Sequence, residues 1–174
     1  MAVRPVVTYP ARVLKGLAGP VGSVGDRERA LAADLVDTMY DSPGCVGLAA
    51  PQIGVASRAF ALDVSVMRKP PAGNHGLVVL FDPELILSSG SELAREGCMS
   101  VPDYTCDVRR ATSVVVRGVT PAGEVQVVEA AGFEARAFQH ELDHLDGLLV
   151  LDRVAGRSDV FARKRRAARG EHLK

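Results

Sequence analysis

Over residues 133–148, Phe133, Ala137, His140, His144 and Leu148 fall on one face of a helix, so the apolar stripe that should point inward also carries two histidines. That stripe constrains the fold more than any other feature. An unpartnered imidazole on an interior face is costly, so something must be brought to meet it. The two histidines close His140-Glu-Leu-Asp-His144, an H-E-x-x-H sequence. Side chains four apart project from successive turns, so both imidazoles can bind one metal ion, and Glu141 beside the first can reach a metal-bound water. The competing reading is a charged, solvated helix face with two incidental histidines. The apolar company of Phe133, Ala137 and Leu148 argues against it.

The rest of the chain predicts helices towards its ends and strands between them. Residues 1–25, rich in Val, Pro and Gly, predict extended chain and turns. Ser23 and Asp26 have capping-box spacing, and Leu31, Leu35, Val36 and Met39 form the stripe of a first helix that Ser42, Pro43 and Gly44 stop. Phe60, Leu62 and Val64 alternate with smaller or polar residues, as in a half-buried strand. After a loop at 69–76, residues 77–81 predict a short buried strand ending at Asp82-Pro83, and 112–116 with 125–128 predict a hairpin. Gly147 suits the end of the histidine helix, and a last helix is expected over 159–169. Without regular βαβ alternation, this pattern is α+β: mostly antiparallel sheets around a central helix that carries the H-E-x-x-H motif. A chain of 174 residues that is 47% hydrophobic is expected to form one domain, 1–174, with 151–174 as a basic, helical tail. Chains of this length bury roughly two-thirds of their unfolded surface, which suffices for a core without disulfides. The three cysteines, Cys45, Cys98 and Cys106, are an odd set without paired spacing, and no signal-peptide pattern opens the chain. No apolar run approaches the roughly 18 residues of a membrane span. A cytoplasmic protein with reduced thiols is expected, with neither membrane nor DNA as partner.

Two histidines do not make a catalytic site, which takes three protein ligands and an open position. Gly147 fits the metzincin continuation, but the next ligand position is Val150, and the only later glutamate is Glu171. Upstream stands Glu96-Gly-Cys-Met-Ser100, where the Cys98 thiolate can complete a Cys-His-His set. Taken alone, such a cysteine is more often an ordinary small buried residue.

Three segments in order, Cys45-Val-Gly-Leu-Ala-Ala-Pro-Gln52, Glu96-Gly-Cys-Met-Ser100 and Gln139-His-Glu-Leu-Asp-His144, resemble the motifs of the peptide deformylase family, G-x-G-L-A-A-x-Q, E-G-C-L-S and Q-H-E-x-D-H. The chain departs from them at Cys45, where the usual residue is glycine, and at Met99, which replaces leucine. Met99 is nearly isosteric with leucine. Cys45 is read as a buried structural thiol rather than a reactive one.

The resemblance implies an enzyme that hydrolyses the N-formyl group from the formylmethionine of nascent polypeptides, releasing formate. Cys98, His140 and His144 would hold one divalent ion, Fe2+ in vivo by family habit, with Zn2+, Ni2+ or Co2+ able to take the same ligands. Glu141 would be the general base, Gln52 and the backbone N–H of Met99 the donors to the formyl oxygen, with Gly47 also at a catalytic position. Glu96 and Arg110 are expected to pair in support of the metal-binding turn. Val46 and Gly97, through backbone, and Phe133 and Ala137, as pocket walls, are the expected substrate contacts. The chain's 21 basic and 21 acidic residues balance, yet 151–174 holds eight Arg/Lys against three Asp/Glu. That tail, with Arg163, Lys164, Arg165, Arg166 and Arg169, suggests a weak ribosome contact.

Overall fold

The computed structural model describes residues 2–163. Two helices, α1 (Asp26–Asp41) and α2 (Gly132–Leu145), accompany eight strands: β1 (Gly47–Ala49), β2 (Ala59–Leu62), β3 (Val78–Ser89), β4 (Glu92–Cys98), β5 (Val101–Arg110), β6 (Ser113–Val119), β7 (Val125–Ala131) and β8 (Val160–Ala162). One sheet runs in the order β1-β2-β3-β6-β7 and the other β4-β5-β8, with every pairing between strands antiparallel. The expected α+β architecture therefore holds, and so does the expected hairpin, as β6 and β7 in register from Ser113↔Ala131 to Val119↔Val125.

The middle of the larger sheet is covered on both faces, which corrects the expectation of a half-buried second strand. All four residues of β2 are buried. Ala59 and Ala61 pack with Leu35 and Met39 of α1, while Phe60 and Leu62 pack with Phe138 and Leu142 of α2. The Phe60 and Phe138 rings meet edge to face, 5.8 Å between centroids. A strand with a helix on each side has no solvent face, so its residues need not alternate in polarity.

The third strand also runs further than its sequence suggests. Asp82 takes a left-handed φ of 45°, and the register with β6 shifts between Phe81 and Glu84, so Pro83 sits in a bulge that needs no ladder N–H. The Asp82 carboxylate accepts from the N–H groups of Val21 and Gly22, both at 2.7 Å, and so ties the N-terminal segment to the strand. At the start of α1 the cap is Gly25, whose N–H donates to Glu28 Oε2 at 3.0 Å, in place of the expected Ser23 and Asp26 pair. The histidine helix stops at Leu145, short of Leu148, and Gly147 turns with φ +72°. A Cβ there would lie 2.9 Å from the Lys15 and Gly16 carbonyls, which is why only glycine fits.

The expected last helix is not what the described residues form. Arg157–Asp159 is a single 3-10 turn and β8 follows, pairing with β5 from Cys106↔Val160 to Tyr104↔Ala162. Val160 packs against the cluster around Cys106 and Val108, and the Phe161 ring takes the Arg95 guanidinium at 3.4 Å. Those two contacts, together with the free edge of β5, outweigh helix propensity in a Val-Phe pair. The remainder of that helix, with Lys164, Arg165, Arg166 and Arg169, lies outside the described residues. No helix among the described residues is long and apolar enough to cross a membrane.

Candidate metal centre

Helix α2 is buried on two faces, which explains its mixed sequence. Ala135, Phe138, Leu142 and Leu145 face the larger sheet, while Phe133, Ala137, His140, Glu141 and His144 bring the chemistry to a second, functional side. Gln139 docks the helix: its Nε2 donates to the Ala111 and Ala135 carbonyls at 2.9 Å, and its Oε1 accepts from the Ala111 N–H at 3.0 Å. The last residue of β4, Cys98, arrives opposite the histidines because the β4–β5 register breaks between Gly97 and Cys98.

The ligand atoms of Cys98, His140 and His144 lie within 4.8 Å of one another, with Cys98 Sγ 3.3 Å from His144 Nε2. One sulfur and two imidazole nitrogens gathered in a buried place suit a first-row divalent ion. His140 is oriented by Glu96, whose Oε2 lies 3.0 Å from Nδ1. A carboxylate only accepts, so Nδ1 carries the proton and Nε2 is left for the ion.

Glu96 begins a chain of buried charges. Arg110 grips it bidentately at 2.9 and 3.0 Å and reaches Asp143 at 2.6 Å, and Asp143 in turn pairs with Arg153 through both guanidinium donors, one at 2.9 Å. Burial alone would raise the Glu96 carboxyl, but the hydrogen bonds from His140 and Arg110 outweigh it and hold it at about 2. Sequence reasoning overlooked Asp143 and Arg153. The available signal was a carboxylate inside the histidine motif of a largely apolar helix, which has to find a cation.

Glu141 is the other half of the site. It is buried, its Oε2 has no hydrogen-bond partner among the described residues, and burial pushes its carboxyl up to about 7. Gly47 makes room for it, since a Cβ there would lie 2.5 Å from Glu141 Oε1. No side chain fits at position 47 unless Glu141 moves. Gln52 is buried in the turn after β1, where its Oε1 accepts from the Ala49 N–H at 2.9 Å and its Nε2 points to Ser100 Oγ at 3.3 Å and Cys98 Sγ at 3.9 Å. Val7 and Tyr9 stitch this turn to the β4–β5 turn by donating to the Gln52 and Ser100 carbonyls at 2.8 and 2.9 Å.

A cavity of about 200 Å³ opens beside these groups, walled by Val46, Gly97, Met99, Phe133 and Ala137. Cys45 also lines it. Its Sγ donates to the Gly47 carbonyl at 3.0 Å, and burial pushes the thiol up to about 12, which leaves little thiolate at neutral pH. Arg95 and Arg136, which the sequence reading passed over, and Arg163, which it placed in the basic tail, complete the rim.

An antiparallel α+β fold that sets a cysteine from a strand end against an H-E-x-x-H helix, with a buried carboxylate next to them, defines a metal-dependent amide hydrolase. Comparison with known proteins narrows this class. The polypeptide deformylase family model matches residues 3–159. The peptide deformylase of Thermodesulfovibrio yellowstonii is 38% identical over 94% of this chain and 97% of its own, and peptide deformylase 1 of Bacillus subtilis is 41% identical over 89% and 92%. The Met-Ala-Ser-bound class I type b peptide deformylase of Acinetobacter baumannii superposes with a TM-score of 0.81 at 35% identity, covering 88% of this chain and 99% of that one. The chain belongs to the peptide deformylase family, divalent-metal enzymes that remove the N-formyl group from the N-terminal methionine of nascent polypeptides.

Proposed function

We propose that Cys98, His140 and His144 hold the divalent ion and that Glu141 moves the protons of the reaction, all within a single catalytic domain spanning 1–174. The observation that carries this reading is the buried, unpartnered Oε2 of Glu141 beside three converging ligand atoms. The ion, when bound, supplies the Lewis acidity that makes water a nucleophile near neutral pH. Glu141 accepts the proton released as the water attacks the formyl carbon and returns it to the methionine nitrogen as the C–N bond breaks. Gln52 Nε2 and the Met99 N–H donate to the formyl oxygen as negative charge grows on it, and Gly47 keeps the space that Glu141 occupies. Val46 and Gly97 hold the peptide backbone, while Phe133 and Ala137 enclose the methionine side chain. Glu96 and Arg110 act through His140, by fixing its ring.

Ferrous iron is the ion proposed for the cell, with zinc, nickel and cobalt as occupants of the same ligands, and the cytoplasm is the proposed place of action. Metal content after anaerobic purification reads the ion directly. Met-Ala-Ser, the tripeptide bound in the Acinetobacter baumannii relative, is what deformylation of formyl-Met-Ala-Ser leaves. Formate or acetate release from formyl-Met-Ala-Ser and acetyl-Met-Ala-Ser is therefore the test of the reaction. Hydrolysis of the formyl peptide is expected to be faster by orders of magnitude, and equal rates would sink the assignment.

The basic tail is proposed to touch ribosomal RNA weakly, a reading supported by its charge. Because Phe161 belongs to β8, the informative truncation removes only residues 164–174. It should weaken co-sedimentation with ribosomes at low salt, and unchanged co-sedimentation removes the idea.

A further inference from the structure

We propose that the cavity mouth favours formylated chains carrying an acidic side chain two or three residues beyond the methionine, read by Arg163 with Arg95 and Arg136 around it. The inference rests on the cavity being the substrate site, as proposed above. Arg163 directly follows β8 and donates its backbone N–H to the Asp103 carbonyl at 2.8 Å, which fixes it beside β5. Its guanidinium lies against Gly97, so close that a Cβ on Gly97 would fall 2.0 Å from Nη2. The glycine next to the metal-binding cysteine thus leaves the space into which this arginine reaches.

The charges of the rim do not cancel. Arg95 lies two residues before Gly97 on the same face of β4, stacks on Phe161 and pairs with Asp107. Arg136 stands over the Phe133 ring at 4.9 Å and pairs with Glu92 at 3.4 Å. Among the described residues no carboxylate pairs with the Arg163 guanidinium. The two carboxylates that line the cavity, Glu96 and Glu141, are buried, and Glu96 is committed to Arg110 and His140. Among the described residues, two arginines with carboxylate partners and one without leave a positive mouth over a mixed polar and apolar wall, a site that attracts carboxylates and repels ammonium groups. From Gly97, against which Arg163 lies, to Arg95 the strand advances about 7 Å, at roughly 3.3 Å per residue, so the arginines span about two residues of a chain that leaves the methionine along β4.

The test uses the metal-loaded enzyme on formyl-Met-Ala-Xaa-Ala and formyl-Met-Ala-Ala-Xaa-Ala, with Xaa as Asp, Asn or Lys, at low and high salt. In one of the two series kcat/KM for Asp is expected to exceed that for Asn about threefold at low salt, a size set by exposed, screened pairs, with Lys below Asn. The Asp-to-Asn ratio should fall to about one in Arg163→Gln, survive in Arg163→Lys and shrink at high salt. Because each ratio is taken within one protein, a loss of folded enzyme cancels. A wild-type ratio of one in both series, or a ratio unchanged in Arg163→Gln, overturns the inference while leaving deformylation standing. Failure to hydrolyse any of the formyl peptides overturns the reading beneath it and the inference together.

Discussion

Replacing Glu141 by glutamine is expected to lower formate release from formyl-Met-Ala-Ser by about 10²–10⁴-fold, the usual contribution of a positioned acid–base group. The ligand set should survive. Glu141 makes no hydrogen bond to Cys98, His140 or His144, and α2 is held by Gln139 and by Phe138, Leu142 and Leu145 on its sheet face. Glutamine has nearly the same shape, so it fills the same space opposite Gly47, but it cannot accept and return a proton. Metal content and circular dichroism should therefore match the parent while turnover collapses. Because burial disfavours the ionised carboxylate, with the carboxyl already up at about 7, the uncharged variant should unfold at or above the parent's midpoint. Undiminished turnover with metal retained would show that the proton moves through another group.

The helical half of this site was visible in the chain, and the reason is local. Two histidines four apart on an otherwise apolar stripe carry their chemistry in sequence spacing that a helix converts directly into proximity, whereas Cys98, 46 residues from His144, was legible only because its segment resembles a family motif. The network behind them is not local in this sense. Arg110 and Asp143 are 33 residues apart and meet only because β5 ends under α2. The same distinction separates the visible strands from the hidden ones. β6 and β7 are β-branched runs around a turn, whereas β4 and β5 carry Glu92, Arg95, Asp107 and Arg109, whose polarity hides the period of two. Those charges are satisfied across the ladder, as Arg95 with Asp107, a pairing that exists only once the two strands are aligned. β8 is hidden because its three residues border a basic stretch of good helix formers, and the open edge of β5, with the contacts of Val160 and Phe161, makes a strand of them.

Removing Arg110 should destabilise the fold more than any other single change at the site. Its side chain is 4% exposed and holds two carboxylates, Glu96 and Asp143, that are 6% and 8% exposed. In Arg110→Ala, Asp143 keeps Arg153, but Glu96 keeps only His140, and a buried carboxylate loses the bidentate partner that offset its desolvation. Breaking one side of such a pair costs about 3–5 kcal/mol. That is a large part of the roughly 5–15 kcal/mol by which a domain is stable. Urea denaturation should show this loss, and metal affinity should fall about 10–100-fold, because Glu96 no longer fixes the His140 ring. Arg110→Lys restores the charge without the fork and should recover part of each quantity. The double change Glu96→Gln with Arg110→Met separates stability from function: it removes both charges of the pair at similar volume. It should be less destabilising than Arg110→Ala while still losing metal affinity, since glutamine holds the His140 N–H more weakly than a carboxylate does. If Arg110→Ala instead unfolds within about 1 kcal/mol of the parent, water must reach Glu96, and a solvated Glu96 cannot hold the ring through a desolvated, charge-assisted bond.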